Sequence, residues 1–260
     1  MIPLGIWMTA IGVADVVVAL SGHPTSLPRA AASAPVAAAV AAILAGLSGY
    51  SAGPVVGLAA IGLVSQAAWV GVRWSEAWSR RRAVATAWGF AAVFALIVVT
   101  ARLWPGTDGG WLARAIGRLP YRDVAGASLE EVLVVVGVLA ILQATGNALV
   151  RLALAAIGSR AERHEKTLAG GRLIGPIERT LIFAFGLAGQ YLAAAVIVSA
   201  KGLLRFPELT ARARADRELG PVGAAAPDGE PRATIDVLTE YLLVGTLVSF
   251  ALALGPLVLV

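Results

Sequence analysis

The chain contains no cysteine and only two histidines, His23 and His164. Without cysteine there can be no disulfide, no thiolate metal ligand and no cysteine nucleophile. A histidine-ligated metal or haem site would need both histidines, which lie far apart in sequence, together with other ligands. We therefore expect neither a metal nor a cofactor.

Charged residues are also scarce. They make up 14% of the chain, whereas hydrophobic residues make up 58%, and the mean hydropathy is +0.79. A soluble domain carries about 25% charge, so this composition indicates a membrane protein. The net charge of +5 comes mainly from arginines near the ends of apolar segments, where they anchor to anionic head groups. We expect membrane lipids as partners and no binding of nucleic acid.

Motifs of common catalytic sites are missing. The sequence has no GxSxG, HExxH or P-loop motif and no acidic pair with metal-ligand spacing. We expect a non-enzymatic protein, although a membrane enzyme that acts on a lipid head group remains a third alternative.

Long apolar segments are abundant. Seven are long enough to cross about 30 Å of hydrocarbon, at residues 4–21, 30–49, 53–72, 83–101, 131–153, 177–204 and 238–259. They predict an all-α polytopic transmembrane helix bundle in one domain, 1–260, with the first span uncleaved. Basic residues are divided almost equally between the two sets of loops, so they do not assign an orientation.

The connecting segments carry further signals. A Gly- and Pro-containing turn at 48–54 predicts that spans two and three form an antiparallel hairpin. Gly53 and Gly57 form a GxxxG pair, which favours helix packing within the bundle over a dimerisation face. Residues 111–119 predict a short interfacial helix, Ser128 and Glu131 a capping box before span five, and 207–231 a mobile loop.

The segment 170–206 is the longest apolar stretch with charge at both ends. Arg179 and Lys201 are separated by about 33 Å of helix at 1.5 Å per residue. We expect one continuous helix here, with Glu178 and Arg179 just before the apolar run and Lys201 and Arg205 closing it.

Polar side chains inside the predicted spans define a candidate intramembrane site. Such residues are costly in lipid and normally face the bundle interior. On span five, three of them repeat every four residues and so share one helical stripe. The candidate set is Asp15, Gln66, Gln143, Asn147, Arg151 and Gln190. Either these residues hold helices together, with Asp15 paired to an arginine such as Arg151, or they line a polar cavity in which Asp15 carries a proton.

A second candidate site lies where spans six and seven meet at the membrane surface. Lys201 and Arg205 are expected near Glu240 and Tyr241, because antiparallel neighbours bring these ends together. The four residues form either a structural ion pair or a site for a phosphate or lipid head group.

Three blocks of the C-terminal third carry a resemblance: TGNALVRLAL (145–154), GGRLIGPIERTLIFAFGLAGQYLAAAVIVSAKGLLRF (170–206) and EYLLVGTLVSFALAL (240–254). They resemble a bacterial family of polytopic membrane proteins with no assigned activity, whose pattern runs GGxLIGxLER…GQ…AKxxxRF…EYxxxGTLxSF. Matching positions are Thr145, Gly146, Gly171, Gly175, Glu178, Arg179, Gly189, Gln190, Lys201, Arg205, Phe206, Glu240, Tyr241, Gly245, Thr246, Leu247, Ser249 and Phe250.

The N-terminal half departs from that family, whose first helix often carries a His-x-x-x-Asp-Phe pattern. Only Asp15 matches it, since Ile11 and Val16 replace the other two residues. The resemblance implies a multi-pass protein of the bacterial plasma membrane. We expect solute or ion transport, or lipid interaction, through the intramembrane polar site. The alternative is an accessory subunit that binds a membrane-protein partner or a second copy of itself.

Overall fold

The computed structural model describes residues 1–20, 32–73, 80–120, 126–157, 171–200 and 235–260. The described elements are all helical. They are α1 (Ile2–Leu20), α2 (Ser33–Leu47), α3 (Ala52–Arg73), α4 (Arg80–Thr100), α5 (Gly110–Ile116), α6 (Leu129–Ile157), α7 (Gly171–Leu187), α8 (Tyr191–Ala200) and α9 (Ile235–Leu254), with 3-10 turns at Ala101–Leu103 and Gly255–Leu259.

Four of these helices, α1, α3, α4 and α6, are long and apolar enough to cross a membrane. This confirms an all-helical architecture with several candidate membrane spans, as expected from the low charge content. The apolar stretches Ser33–Leu47, Tyr191–Ala200 and Leu243–Leu259 are shorter, and seven spans remain a prediction. The predicted loop at 207–231 lies outside the described residues.

The described chain groups into two compact units. The first takes residues within 1–78, 85–148 and 258–260, and the second takes residues within 79–84 and 149–257. Each unit is described by itself below.

Helix α1 is the buried centre of the first unit. Its glycines allow a close approach to α6: a Cβ atom on Gly5 would lie 2.6 Å from the carbonyl carbon of Leu133, and one on Gly12 would lie 2.5 Å from that of Ala140. Gly137 of α6 meets the backbone of Gly5 in the same way. Because lipid tails are as apolar as the helices, this close packing is what favours association.

Helices α2 and α3 form the predicted antiparallel hairpin. The chain reverses at Gly49, whose positive φ of 85° suits glycine. Helix α2 buries a stripe of alanines, and Gly62 of α3 lets the backbone of Ala37 approach. Of the predicted GxxxG pair, Gly57 packs against the ring of Trp104, whereas a Cβ on Gly53 would find no atom within 4 Å.

The turn at Gly49 contacts the segment that precedes α6. Thr107 donates to the carbonyl oxygen of Ser48, and the backbone of Gly110 packs on that of Gly49. The predicted capping box is confirmed, since Ser128 N donates to Glu131 Oε2 at 2.8 Å and Glu131 N donates to Ser128 Oγ at 3.1 Å. A short helix, α5, is present where one was predicted.

In the second unit, the prediction of one continuous helix over 177–204 is wrong. Helix α7 ends at Leu187, and Gly189 follows with a φ of 70°. Gln190 N donates to Phe185 O at 2.7 Å and Gly189 N donates to Gly186 O at 3.0 Å. These two bonds define a Schellman motif, which ends a helix at a glycine.

The apolar packing explains why helix α7 ends at Leu187. Ile182 and Ala194 are buried in one cluster with Ala253 of α9. In one straight helix, Ile182 and Ala194 would be about 18 Å apart along the axis, too far for both to contact one alanine. The turn at Gly189 therefore brings α8 back beside the end of α7, and the cluster stabilises that arrangement.

Candidate functional site

Asp15 is the central residue of a polar cluster in the first unit. It lies on α1 and its side chain is 3% exposed. Its Oδ1 accepts a hydrogen bond from Gln66 Nε2 at 3.0 Å. Its Oδ2 accepts from Trp69 Nε1 at 3.0 Å and from Thr145 Oγ1 at 2.7 Å. Neutral side chains of α3 and α6 therefore supply three of the hydrogen bonds that hold this carboxylate inside an apolar helix bundle.

The spacing on α3 places two of these donors together. Gln66 and Trp69 are three residues apart and so lie on the same helical face. Gln66 Nε2 also donates to Ser33 Oγ of α2 at 3.2 Å. We call Asp15, Ser33, Gln66, Trp69 and Thr145 the Asp15 cluster, which links α1, α2, α3 and α6.

Aromatic rings pack around one side of the Asp15 cluster. The Trp69 ring lies 5.0 Å from that of Phe90, centroid to centroid, and Phe90 lies 5.9 Å from Trp7. The Trp7 indole donates to Ser65 Oγ at 3.0 Å, so its polar atom is satisfied on α3 as well. Phe90 places apolar surface against the indole of Trp69, which strengthens the bond of that indole to Asp15 by lowering the local dielectric.

The side-chain oxygen of Gln66 is an unsatisfied acceptor in the Asp15 cluster. Gln66 is fully buried, and its Oε1 has no hydrogen-bond partner among the described residues. A buried acceptor without a donor costs about 1–3 kcal/mol. An unsatisfied group of this kind calls for a physical explanation, such as a ligand that the site binds.

The structure brings together Asp15 and Gln66, two of the six predicted intramembrane residues. On α6, the donor to Asp15 is Thr145, which was not in the predicted set. The predicted Gln143 donates instead to Leu139 O of its own helix at 3.1 Å. Gln143 and Asn147 are each two residues from Thr145, which places them about 160° away around the helix. Gln143, Asn147 and Arg151 lie on one stripe of α6, but the face that carries Thr145 is the one that reaches Asp15.

The sequence predicted Gln190 inside a transmembrane helix, but in the structure it lies between α7 and α8. Its backbone N–H belongs to the Schellman motif between α7 and α8, and its side chain is exposed. Arg151 is an exposed residue of α6, and its pairing with Asp15 stays a prediction.

The second predicted site is not tested. Lys201 and Arg205 lie outside the described residues, and Glu240 and Tyr241 belong to α9 in a part whose side chains are not described. A head-group site at these four positions therefore stays a prediction.

Arg179 is a buried residue whose environment the sequence did not reveal. It was expected at the edge of the apolar run, yet it lies in the middle of α7 and is 2% exposed. Its Nη1 donates to Ser249 Oγ of α9 at 3.5 Å. The apolar residues on both sides of Glu178 and Arg179 were the available signal, because they extend the helix upstream to Gly171.

The chemistry of the Asp15 cluster is limited by its composition. Across the described ranges, no group of three or more histidine, aspartate or glutamate side chains could hold a metal ion. The cluster offers one carboxylate, one amide and two hydroxyls, which suit a proton or a cation of low charge rather than acid–base catalysis by paired carboxylates.

Comparison with protein-family models, with curated proteins and with solved structures finds no match to this chain. The resemblance of the C-terminal third therefore stays a prediction.

Proposed function

We propose that the chain is a non-enzymatic membrane protein that carries a small cation across the bilayer, with Asp15 as the residue that binds it. The observation that carries the proposal is the buried Asp15 carboxylate inside a candidate membrane span. A charged side chain inside a membrane span is costly, and ion and proton pathways are among the functional sites that such residues mark.

The position of Asp15 along α1 supports this function. Leu20, the last residue of the helix, lies five positions further along the chain, which corresponds to about 8 Å. A carboxylate at that depth is inside the apolar region but close to one end of its helix. Neutral donors from α3 and α6 help to hold it in one orientation. The Gln66 amide beside it carries an oxygen that has no partner among the described residues.

The second candidate is a structural or accessory subunit, and a different feature of the same cluster favours it. Hydrogen bonds of the Asp15 cluster link four helices, so the cluster could serve folding alone. Helix α4 also exposes large apolar side chains such as Leu96 and Val99, which contact either lipid or a partner. Gentle extraction followed by native mass spectrometry distinguishes these: a stoichiometric protein partner supports the subunit, and co-purifying lipid alone supports lipid interaction.

The location completes the proposal. Several candidate spans suggest a membrane protein. The abundance of arginine and alanine, together with the family resemblance, favours a multi-pass protein of a bacterial plasma membrane.

Flux through purified protein in liposomes tests the transport function. We expect wild-type protein to dissipate an imposed proton or sodium gradient, and Asp15→Asn to reduce the rate at least about tenfold, because the variant keeps the shape but loses the charge. Asp108→Asn is the matched control, since Asp108 is an exposed residue before α5. Wild-type rates equal to those of protein-free liposomes, or an undiminished rate in Asp15→Asn, would contradict the proposal.

A further inference from the structure

The orientation of the Gln66 amide suggests which cation the Asp15 cluster binds. In the structure, Nε2 points to Asp15 Oδ1 and Ser33 Oγ, while Oε1 of the same amide is buried without a partner. The nitrogen and oxygen of a glutamine amide occupy nearly equivalent positions, and a rotation of 180° about the last side-chain torsion exchanges them.

That rotation would place three oxygens together. Oε1 would then lie about 3.0 Å from Asp15 Oδ1 and about 3.2 Å from Ser33 Oγ, the distances at which Nε2 now lies. Two acceptor oxygens repel each other at this distance unless a positive charge lies between them. The rotated state therefore requires a bound cation or a proton, and binding would satisfy the oxygen that the present orientation leaves unpaired.

The ligand class follows from the donor atoms. Carboxylate, amide and hydroxyl oxygens are ligands for hard cations. One carboxylate supplies a single negative charge, which matches a monovalent ion better than a divalent one. Oxygen separations near 3 Å form a small opening, which favours sodium over the larger potassium ion.

We propose that Asp15, Ser33 and Gln66 bind a sodium ion, and that the Gln66 amide turns its oxygen toward the ion when it binds. This inference rests on the proposed cation transport and names the ion. Trp69 and Thr145 are positioning residues, since both donate to Oδ2 of Asp15 and leave Oδ1 directed at Ser33 and Gln66.

Thermal unfolding of the purified full chain in detergent tests sodium binding without any transport. The protein is melted at constant pH and ionic strength in sodium, potassium or choline chloride. Because a ligand that binds only the folded state stabilises it, we expect sodium to raise the Tm by at least about 3 °C over choline, and potassium to have a much smaller effect.

Two variants and one control locate the effect. Ser33→Ala removes one proposed ligand, and Gln66→Met removes the amide at similar size; each should abolish the sodium shift. Ser65→Ala should keep it, because Ser65 is adjacent to Gln66 but bonds to Trp7 and to its own helix. If Gln66→Met fails to fold, the Tm of Ser33→Ala in sodium and in choline still tests the sodium site.

A wild-type Tm that does not distinguish sodium from choline overturns the sodium site, as does a shift that survives Ser33→Ala. The two proposals fail separately. Proton flux that depends on Asp15 without a sodium shift refutes only the sodium site. A sodium shift without flux of either ion refutes only the transport function.

Discussion

The contact between α1 and α6 leaves no room for a side chain at Gly12. A Cβ atom there would lie 2.5 Å from the carbonyl carbon of Ala140 and 2.7 Å from the backbone nitrogen of Ile141. Atoms of this kind normally approach no closer than about 3.5 Å. Since the atoms on α6 are backbone, no rotamer change relieves the overlap, and Gly12→Ala must move one helix by roughly 1 Å.

The expected cost can be set against a matched control. Overpacking a well-packed contact costs about 1–3 kcal/mol. At Gly89, on α4, a Cβ would meet no atom within 4 Å, so Gly89→Ala should gain about 0.5–1 kcal/mol from reduced backbone freedom. The two variants should therefore differ by about 1.5–4 kcal/mol in the free energy of unfolding, or roughly 3–16 °C in Tm.

Melting curves of both variants in the same detergent, followed by circular dichroism, measure this difference. Gly12→Ala should melt below the wild type and Gly89→Ala at or above it. If Gly12→Ala melts within 1 °C of Gly89→Ala, the close approach of α1 and α6 is wrong, and the hydrogen bond from Thr145 of α6 to Asp15 of α1 loses its support.

Two further predictions concern the Asp15 cluster and the crossing of α4. Thr145→Val should lower the free energy of unfolding by about 1.5–3 kcal/mol, because it removes a donor to a buried carboxylate. Thr145→Ser keeps the hydroxyl and should cost less than half as much. Equal losses for the two variants in denaturant titrations would exclude the hydroxyl as the cause. For topology, the absence of cysteine allows single-cysteine variants in the native sequence. Arg81→Cys lies in the first turn of α4 and Asp108→Cys lies beyond its C-terminal end. An impermeant maleimide added to intact vesicles should therefore label only one of them, and labelling of both would show that α4 does not cross.

Composition and hydropathy were sufficient to predict the helical class and the approximate positions of most helices. Apolar runs extend through the whole of a span, so α1, α3, α4 and α6 follow directly from segment length. The capping box at Ser128 and Glu131 was also predicted, because its geometry is local. These features depend on residues that are neighbours in sequence.

The break at Gly189 could not be predicted from hydropathy, because both α7 and α8 are apolar and a single glycine is often tolerated in a membrane helix. What ends α7 is the combination of a positive φ at Gly189 with packing of Ile182 and Ala194 against Ala253. That contact joins residues about 60–70 positions apart, and hydropathy contains no information about it.

The hydrogen-bond partners of Asp15 show what helical periodicity cannot predict, and which other feature of the sequence could have predicted it. Periodicity identifies residues that share a face, as for Gln143 and Asn147, but it does not say which face meets a neighbouring helix. The glycines of α1 do: Gly5 and Gly12 are seven residues apart and mark the side that packs on α6. Asp15 follows three residues later, within about 80° of both glycines around the helix. The small-residue pattern therefore directs Asp15 toward α6, and a threonine on an otherwise apolar face of that helix is the donor expected to meet it.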